Sequence, residues 1–236
     1  MKKFLISILF LVSNWAVNPA VAEVRNARVY KIGDETKILF TQTTEISEIS
    51  SEIRTWVSVL KDSAGKILMT ESANIKNGKI QNQKVQQFQV GESYELQVAN
   101  DQATFKEFQL LDSANPVLKK TEVVSVGESF IMGPTTDFFV QKNWKALTEG
   151  AIVKAEFGVF ELLKTVQFEF KKIEDEVGSI KIQMKPANLF VSMMVDPIYV
   201  TYDKTTQKMI RYKGRTPMRI KVDGKWKPLD ADIFYP

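Results

Sequence analysis

Turn signals of one particular kind recur along this chain and restrict the folds it can adopt. They occur at Asp62–Gly65, Asn77–Gly78, Asp203–Thr206 and Asp223–Gly224, each time between segments of strand character. Asn-Gly and Asp-Gly supply the positive φ angles that two-residue hairpins require. Because a hairpin joins antiparallel neighbours, these turns predict an antiparallel sheet.

The segments between the turns alternate apolar and polar side chains. The clearest apolar faces are Val166, Phe168 and Phe170, then Ile180, Ile182 and Met184, and then Met218, Ile220 and Val222. A period of two with one polar face is typical of strands that are buried on one side only. Residues 187–202 differ because they are apolar on both faces. This predicts a strand that is covered on both sides, by protein or by a ligand.

One segment carries helix signals instead. Thr135 or Thr136 can serve as N-cap, Asp137 lies where the helix dipole favours negative charge, and Gly150 can end the helix. Apolar residues recur at helical spacing between them. The sequence therefore predicts a mainly β fold, a curved antiparallel sheet or half-barrel that encloses one amphipathic helix at about residues 136–149.

An asparagine lies within the apolar face of this predicted helix. A buried amide needs hydrogen-bond partners, because leaving it unpaired costs about 1–3 kcal/mol. Asn143 therefore either fixes the helix to a strand or loop carbonyl, or it is a polar anchor inside a ligand cavity. For the second alternative, the predicted cavity residues are Phe139, Asn143, Trp144, Leu147, Phe190 and Met194.

The N-terminal segment has the order of a secretory signal. Lys2 and Lys3 precede the apolar run Phe4–Val12, and Ala20–Ala22 offers a small-residue cleavage site. The apolar run is too short to span a bilayer, and no cysteine follows for lipid attachment. We expect a bacterial Sec-type signal peptide at residues 1–22, a periplasmic or secreted protein that is not a lipoprotein, and no transmembrane segment after cleavage. Residues 23–236 are expected to form a single β-rich domain, with two sheet lobes joined through about residues 112–136.

The chain contains no cysteine and no histidine. This excludes disulfides, cysteine nucleophiles, Ser-His-Asp triads and Cys/His zinc sites, and we predict no catalytic residue, no metal ligand and no cofactor. Ser63 and Lys66 match the S-x-x-K motif of serine acyl-enzymes, but they fall in a turn and lack the partner motifs. Glu174 and Asp175 lie in a polar turn, whereas a carboxylate-based hydrolase needs two acids that converge in a groove.

Basic side chains concentrate near the C-terminus, between Asp203 and Lys227. The central ones are Lys208, Arg211, Lys213, Arg215, Arg219 and Lys221. They form either the solvated face of two hairpins, where lysines protect an exposed strand edge, or an anion-facing patch for lipid head groups or an acidic partner. Without residues 1–22 the chain has only two more basic than acidic side chains, which is not the composition of a nucleic-acid-binding protein.

Three sequence patterns carry a resemblance. They are F-F-V-x-x-N-W-x-A-L-x-x-G at 138–150, V-D-P-I-Y-V-T-Y-D at 195–203 and R-Y-K-G-R at 211–215. In this order they resemble a family of uncharacterised exported bacterial proteins, most strongly over residues 137–222. More distantly, a sheet wrapped around a helix is similar to the periplasmic lipoprotein-sorting carriers, whose half-barrel holds acyl chains. That second likeness is architectural, and it implies no catalytic residue.

Three functional hypotheses follow from these observations. The first is a non-enzymatic periplasmic binding or carrier protein for a hydrophobic or lipid-like ligand, held beside the predicted helix. The second is an envelope structural or interaction module that docks to an anionic surface or partner through its basic C-terminal hairpins. The third is a carboxylate-based hydrolase, for which the sequence offers the least support.

Overall fold

The computed structural model describes residues 20–110, 116–188 and 196–236. Most of the predicted signal peptide at residues 1–22 lies outside these ranges, as do Phe190 and Met194 of the predicted cavity. Within the described residues, no helix is long and apolar enough to cross a membrane.

Strands account for 67% of the structure and helical residues for 9%, so the mainly β prediction is confirmed. The strands are β1 (Ala20–Lys31), β2 (Phe40–Glu48), β3 (Ile53–Asp62), β4 (Ile67–Lys76), β5 (Lys79–Gln87), β6 (Glu92–Ala99), β7 (Gln102–Leu110), β8 (Pro116–Ser125), β9 (Phe130–Ile131), β10 (Val153–Val159), β11 (Lys164–Asp175), β12 (Ser179–Pro186), β13 (Ile198–Asp203), β14 (Met209–Val222) and β15 (Lys225–Phe234).

All fifteen strands belong to one sheet that does not close, with the order β8-β7-β6-β5-β4-β3-β2-β1-β15-β14-β13-β12-β11-β10-β9. Neighbouring strands are antiparallel except for the two-residue β9, which runs parallel to β10. The predicted turns all join consecutive strands, and Asn77 and Asp223 have the positive φ angles expected of them, both 51°. The first and last strands pair with each other, with Arg28 opposite Phe234.

The sheet bends back on itself, so strands that are distant in its order come into contact. Gln87 of β5 donates a hydrogen bond to the carbonyl oxygen of Pro217 in β14 at 3.1 Å. The rings of Phe105 in β7 and Phe160, which precedes β11, meet edge to face with centroids 6.0 Å apart. The bend creates an interior that both halves of the sheet line.

Part of the predicted connection at residues 112–136 is a strand. Pro116–Ser125 forms β8, which pairs with β7 along its length. Its side chains are exposed on both faces, so the one-sided burial that marks the other strands is missing there. The sequence analysis did not assign this strand, because it relied on that burial pattern, whereas Thr121, Val123 and Val124 favour a strand through their β-branched side chains.

The helical residues lie between β9 and β10. A 3-10 turn at Gly133–Thr135 leads into α1 (Thr136–Lys142), and α2 (Trp144–Thr148) follows directly. The helix predicted at about 136–149 is correctly located, but it is interrupted at Asn143, whose φ is −104°. The Asn143 amide donates to the carbonyl oxygen of Phe139 at 2.8 Å, so its bond partner is the helix itself and not a strand. Asparagine side chains that bond the nearby backbone compete with regular helix geometry.

Gly158 of β10 shows how closely the two halves of the sheet approach. A Cβ atom at this position would overlap the sulfur of Met132 and would lie 3.1 Å from Phe130 and 3.2 Å from Phe105. We expect Gly158→Ala to lower the free energy of unfolding by about 1–3 kcal/mol, because overpacked cores must shift side chains or backbone. Gly127→Ala is the matched control in urea denaturation, since its Cβ meets only a Glu156 oxygen at 3.6 Å. Equal losses in the two variants would contradict this explanation.

Candidate binding site at the helix seam

The helical segment packs against the C-terminal half of the sheet, and we call this contact the helix seam. Val140 and Leu147 are fully buried there, while Phe139 and Trp144 are only half-buried. The rings of Phe139 and Phe170 have centroids 5.0 Å apart, and Trp144 meets Tyr202 edge to face at 6.2 Å. The sheet side of the seam consists of Ala155, Phe168, Phe170, Ile180, Ile182, Met184, Val200 and Tyr202.

A largely buried ion pair ties the start of α1 to the first strand. Arg25 Nη1 lies 2.5 Å from Asp137 Oδ2, and its Nε lies 2.6 Å from Glu23 Oε1. The Tyr202 hydroxyl donates to Asp137 Oδ1 at 3.2 Å, and Lys208 Nζ lies 2.9 Å from Glu23 Oε1. We call these five residues the Arg25 network. The Arg25 and Asp137 side chains are only 15% and 14% exposed, so the network closes one end of the helix seam away from most water.

The electrostatics of the Arg25 network follow from burial and pairing. Burial alone would lower the pKa of Arg25, but the hydrogen bonds and charges of Glu23 and Asp137 outweigh it and raise the pKa. Burial would likewise raise the pKa of Glu23, but the bonds from Arg25 and Lys208 hold it below its ordinary value. Burial and the Asp137 charge raise the pKa of Tyr202, which therefore stays a neutral donor. Arg25 is thus a fixed cation that two carboxylates share.

A second polar group, which we call the Glu71 group, lies in the N-terminal half of the sheet. Met69 and Ala73 of β4 are buried, and Glu71 lies between them on the same inward face of the strand. Glu71 Oε1 accepts a hydrogen bond from Gln83 Nε2 at 2.5 Å. Burial raises the pKa of Glu71 to about 7, only partly offset by the nearby side-chain donors of Gln83 and Trp56. The Trp56 indole N–H and Gln83 Oε1 are buried without a hydrogen bond of good geometry.

The Glu71 group and the Arg25 network face the same interior. Tyr235 follows β15 and is packed against the core between the halves. Burial raises its pKa, and the charges of both Asp137 and Glu71 raise it further. The interior of the bent sheet therefore contains polar groups as well as apolar cores.

Most of the predicted anion-facing patch is paired with acids. Arg211 makes two bonds to Asp232, at 2.8 and 2.6 Å, and Arg215 makes two to Asp230, at 2.6 and 3.2 Å. In addition, Arg219 lies 3.6 Å from Glu161. Lys208 belongs to the Arg25 network, Lys221 lies over the Trp226 ring at 5.7 Å, and Lys213 is half-buried. The acids Asp230 and Asp232 follow the basic segment directly and neutralise part of its charge.

The other sequence candidates do not form a catalytic arrangement. Ser63 and Lys66 lie at the β3–β4 turn, where Asp62 Oδ1 accepts bonds from the backbone N–H groups of Ala64 and Lys66, both at 2.9 Å. Glu174 and Asp175 pair with Lys181 and with Lys172 and Lys204, respectively. Glu174 also borders a surface cleft of about 300 Å³ that contains Arg211. Across the described ranges, no group of His, Cys, Asp or Glu is arranged to hold a metal ion.

Sequence reasoning missed Arg25 and Glu71, although a signal for both exists. Ala27 and Val29 are buried on β1, and extending their period-two face backwards places Arg25 on the inner side. Glu71 likewise lies between the buried, inward-facing residues Met69 and Ala73 of β4. A charged residue at an apolar position of a strand is therefore the pattern that could have found them.

Comparison of the chain with protein-family models, curated proteins and solved structures finds no match. The resemblance to exported bacterial proteins and to lipoprotein-sorting carriers therefore remains a prediction.

Proposed function

We propose that the protein is an exported, non-enzymatic binding or carrier protein for a hydrophobic or lipid-like ligand. The ligand enters at the helix seam, and the bent sheet acts as a half-barrel around an amphipathic helix. The observation that carries the proposal is the composition of the seam. Its centre is aliphatic and fully buried at Val140 and Leu147, whereas the aromatic rings of Phe139 and Trp144 remain partly accessible. Ligand sites for apolar molecules combine such aromatic walls with a few placed polar groups.

The Arg25 network supplies the polar groups for an amphipathic ligand. Lys208 is 48% exposed at the rim, while Arg25 lies deeper. An anionic head group can take the place of Glu23 on these two cations while the apolar chain lies along Phe139 and Trp144. Charge-assisted hydrogen bonds of this kind are stronger than neutral ones.

The alternative of an interaction module with a basic docking face has less support. Arg211, Arg215 and Arg219 pair with acids of this same chain, so docking to an anionic surface would have to displace those acids. A hydrolase has no support from converging acids, because Glu174 and Asp175 bind lysines at the surface.

Titration with a dansylated fatty acid tests the binding proposal. Tryptophan transfers excitation energy to a dansyl group nearby, and we expect saturable binding with transfer that is largely lost in Trp144→Phe. Trp226→Phe is the control, because Trp226 lies beneath Lys221 near the β14–β15 turn. Solvent extraction of protein purified from its native host, followed by mass spectrometry, should recover an amphipathic lipid. Unsaturable binding, or equal transfer in both variants, would contradict the proposal.

A further inference from the structure

Strand β8 forms one end of the sheet and leaves a long edge open. Its outer edge pairs with no strand among the described ranges, and its side chains are exposed along nearly the whole length. Three of them are apolar, namely Val117, Leu118 and Val123, at 47%, 52% and 56% exposure. Such an edge is a template for pairing with another strand.

The backbone of β8 has free groups near its centre. Val126 donates its N–H to the Asp101 carbonyl oxygen across the β7–β8 hairpin, at 2.9 Å. Residues of an antiparallel strand direct their N–H and C=O groups to alternate sides. Thr121 and Val123 lie an odd number of positions before Val126 in the sequence. Their N–H and C=O groups therefore point to the opposite side, away from β7.

We propose that this edge pairs with β8 of a second copy of the chain, antiparallel, about a two-fold axis at Thr121. The register then places Lys120 opposite Glu122 of the second copy, and Glu122 opposite its Lys120. The two Thr121 residues face each other, and the β-bulge between Leu118 and Lys120 ends the regular ladder at Lys120. Opposite charges directly across an antiparallel ladder stabilise it, whereas like charges destabilise it.

We assign a second copy of the chain as the partner because the charges on the β8 edge complement those of an identical edge. In the free chain, Lys120 Nζ lies 3.2 Å from Glu122 on the same strand, so both side chains point to one face. Two-fold pairing around Thr121 exchanges the intrachain pair of each copy for a pair across the two strands, without moving either residue to the other face. The contact is small, so the dimer should be weak and dependent on concentration.

Sedimentation velocity over a concentration series tests the proposal on the full mature chain. We expect the wild type to shift towards twice the monomer mass as its concentration rises. Glu122→Lys should abolish the shift, because each Lys120 then faces a lysine, and Lys120→Glu should abolish it for the converse reason. The double variant Lys120→Glu/Glu122→Lys should restore dimerisation.

Two further variants distinguish edge pairing from general effects. Thr121→Pro removes an N–H that points away from β7, so it should abolish the dimer while leaving the unfolding transition of the monomer in place. Glu95→Lys is the charge control, since Glu95 pairs with Lys84 within the sheet, away from this edge. A wild type that stays monomeric at every concentration, a dimer that survives Glu122→Lys, or a double variant that stays monomeric would overturn the proposal.

Discussion

Replacing Arg25 with methionine is expected to lower the free energy of unfolding by about 3–5 kcal/mol. Removing one partner of a buried ion pair leaves the other charge uncompensated, and losses of this size are typical. Here two carboxylates lose their shared cation, because Arg25 bridges Glu23 and Asp137. Methionine keeps the apolar stem of the side chain and removes the guanidinium group, so the loss mainly reports the charge and its hydrogen bonds.

Urea denaturation of matched variants measures this effect. Arg28→Met is the control, because Arg28 is exposed on the same strand, and we expect a change within about 0.5 kcal/mol. Asp137→Asn should also destabilise the protein. The double variant Arg25→Met/Asp137→Asn should lose less than the sum of the two single losses, because both single variants remove the same interaction. Strictly additive losses would show that Arg25 and Asp137 are not coupled.

The Arg25 prediction also bears on the ligand. If Arg25 holds both the helix and an anionic head group, then Arg25→Met should weaken binding of a dansylated fatty acid more than that of an uncharged dansyl alkyl amide. A structural role alone would weaken the two probes equally. The comparison therefore separates a binding role of Arg25 from its contribution to stability.

Local features of the fold could be predicted from the sequence, because the chemistry that sets them is local. Asn77 and Asp223 precede glycines and adopt the positive φ that their hairpins need. Phe168 and Phe170 are buried on one face of β11, as their spacing predicts. The helical segment lies where the sequence predicted it, and Gly150 has the positive φ, 92°, expected of a stop residue, whereas Thr135 makes no side-chain capping bond. Its break at Asn143 could not be predicted, because an asparagine amide bonds a strand or its own helix with equal ease.

Long-range features could not be predicted, because nothing in the sequence marks the partner. Arg25 and Asp137 are 112 positions apart, and they meet only because β1 pairs with β15 while the sheet bends back over α1. The basic C-terminal segment illustrates the same limit at shorter range. A charge count that stops at Lys227 omits Asp230 and Asp232, which pairing in β14 and β15 places beside Arg215 and Arg211.

The stability of the protein should fall as the pH rises from about 5 to about 8, and Glu71 should cause this fall. The folded-state pKa of Glu71 is about 7, raised by burial from the ordinary value of 4.5. Between these two values the folded protein keeps a proton that the unfolded chain has released. The free energy of unfolding therefore decreases with pH across this window, by at most about 3 kcal/mol.

The composition of the chain makes this effect measurable. Imidazole is the side chain that ordinarily titrates in this pH range, and the chain has no histidine. The carboxylates with lowered pKa values, such as Asp175 at about 2 and Glu23, lose their contribution only when the pH falls below the window. Among the described residues, Glu71 is thus the carboxyl whose raised pKa lies inside this window.

Glu71→Gln isolates the effect, because glutamine has nearly the same shape and stays neutral at every pH. Its carbonyl oxygen can still accept the bond from Gln83 Nε2. We expect the variant to match the wild type at about pH 5 and to be more stable at about pH 8, by up to about 3 kcal/mol. Glu95→Gln, at a side chain that is 38% exposed, should keep the wild-type slope in urea denaturation at both pH values. A wild type without this slope, or a Glu71→Gln variant that retains it, would show that Glu71 ionises as freely in the folded protein as in the unfolded chain.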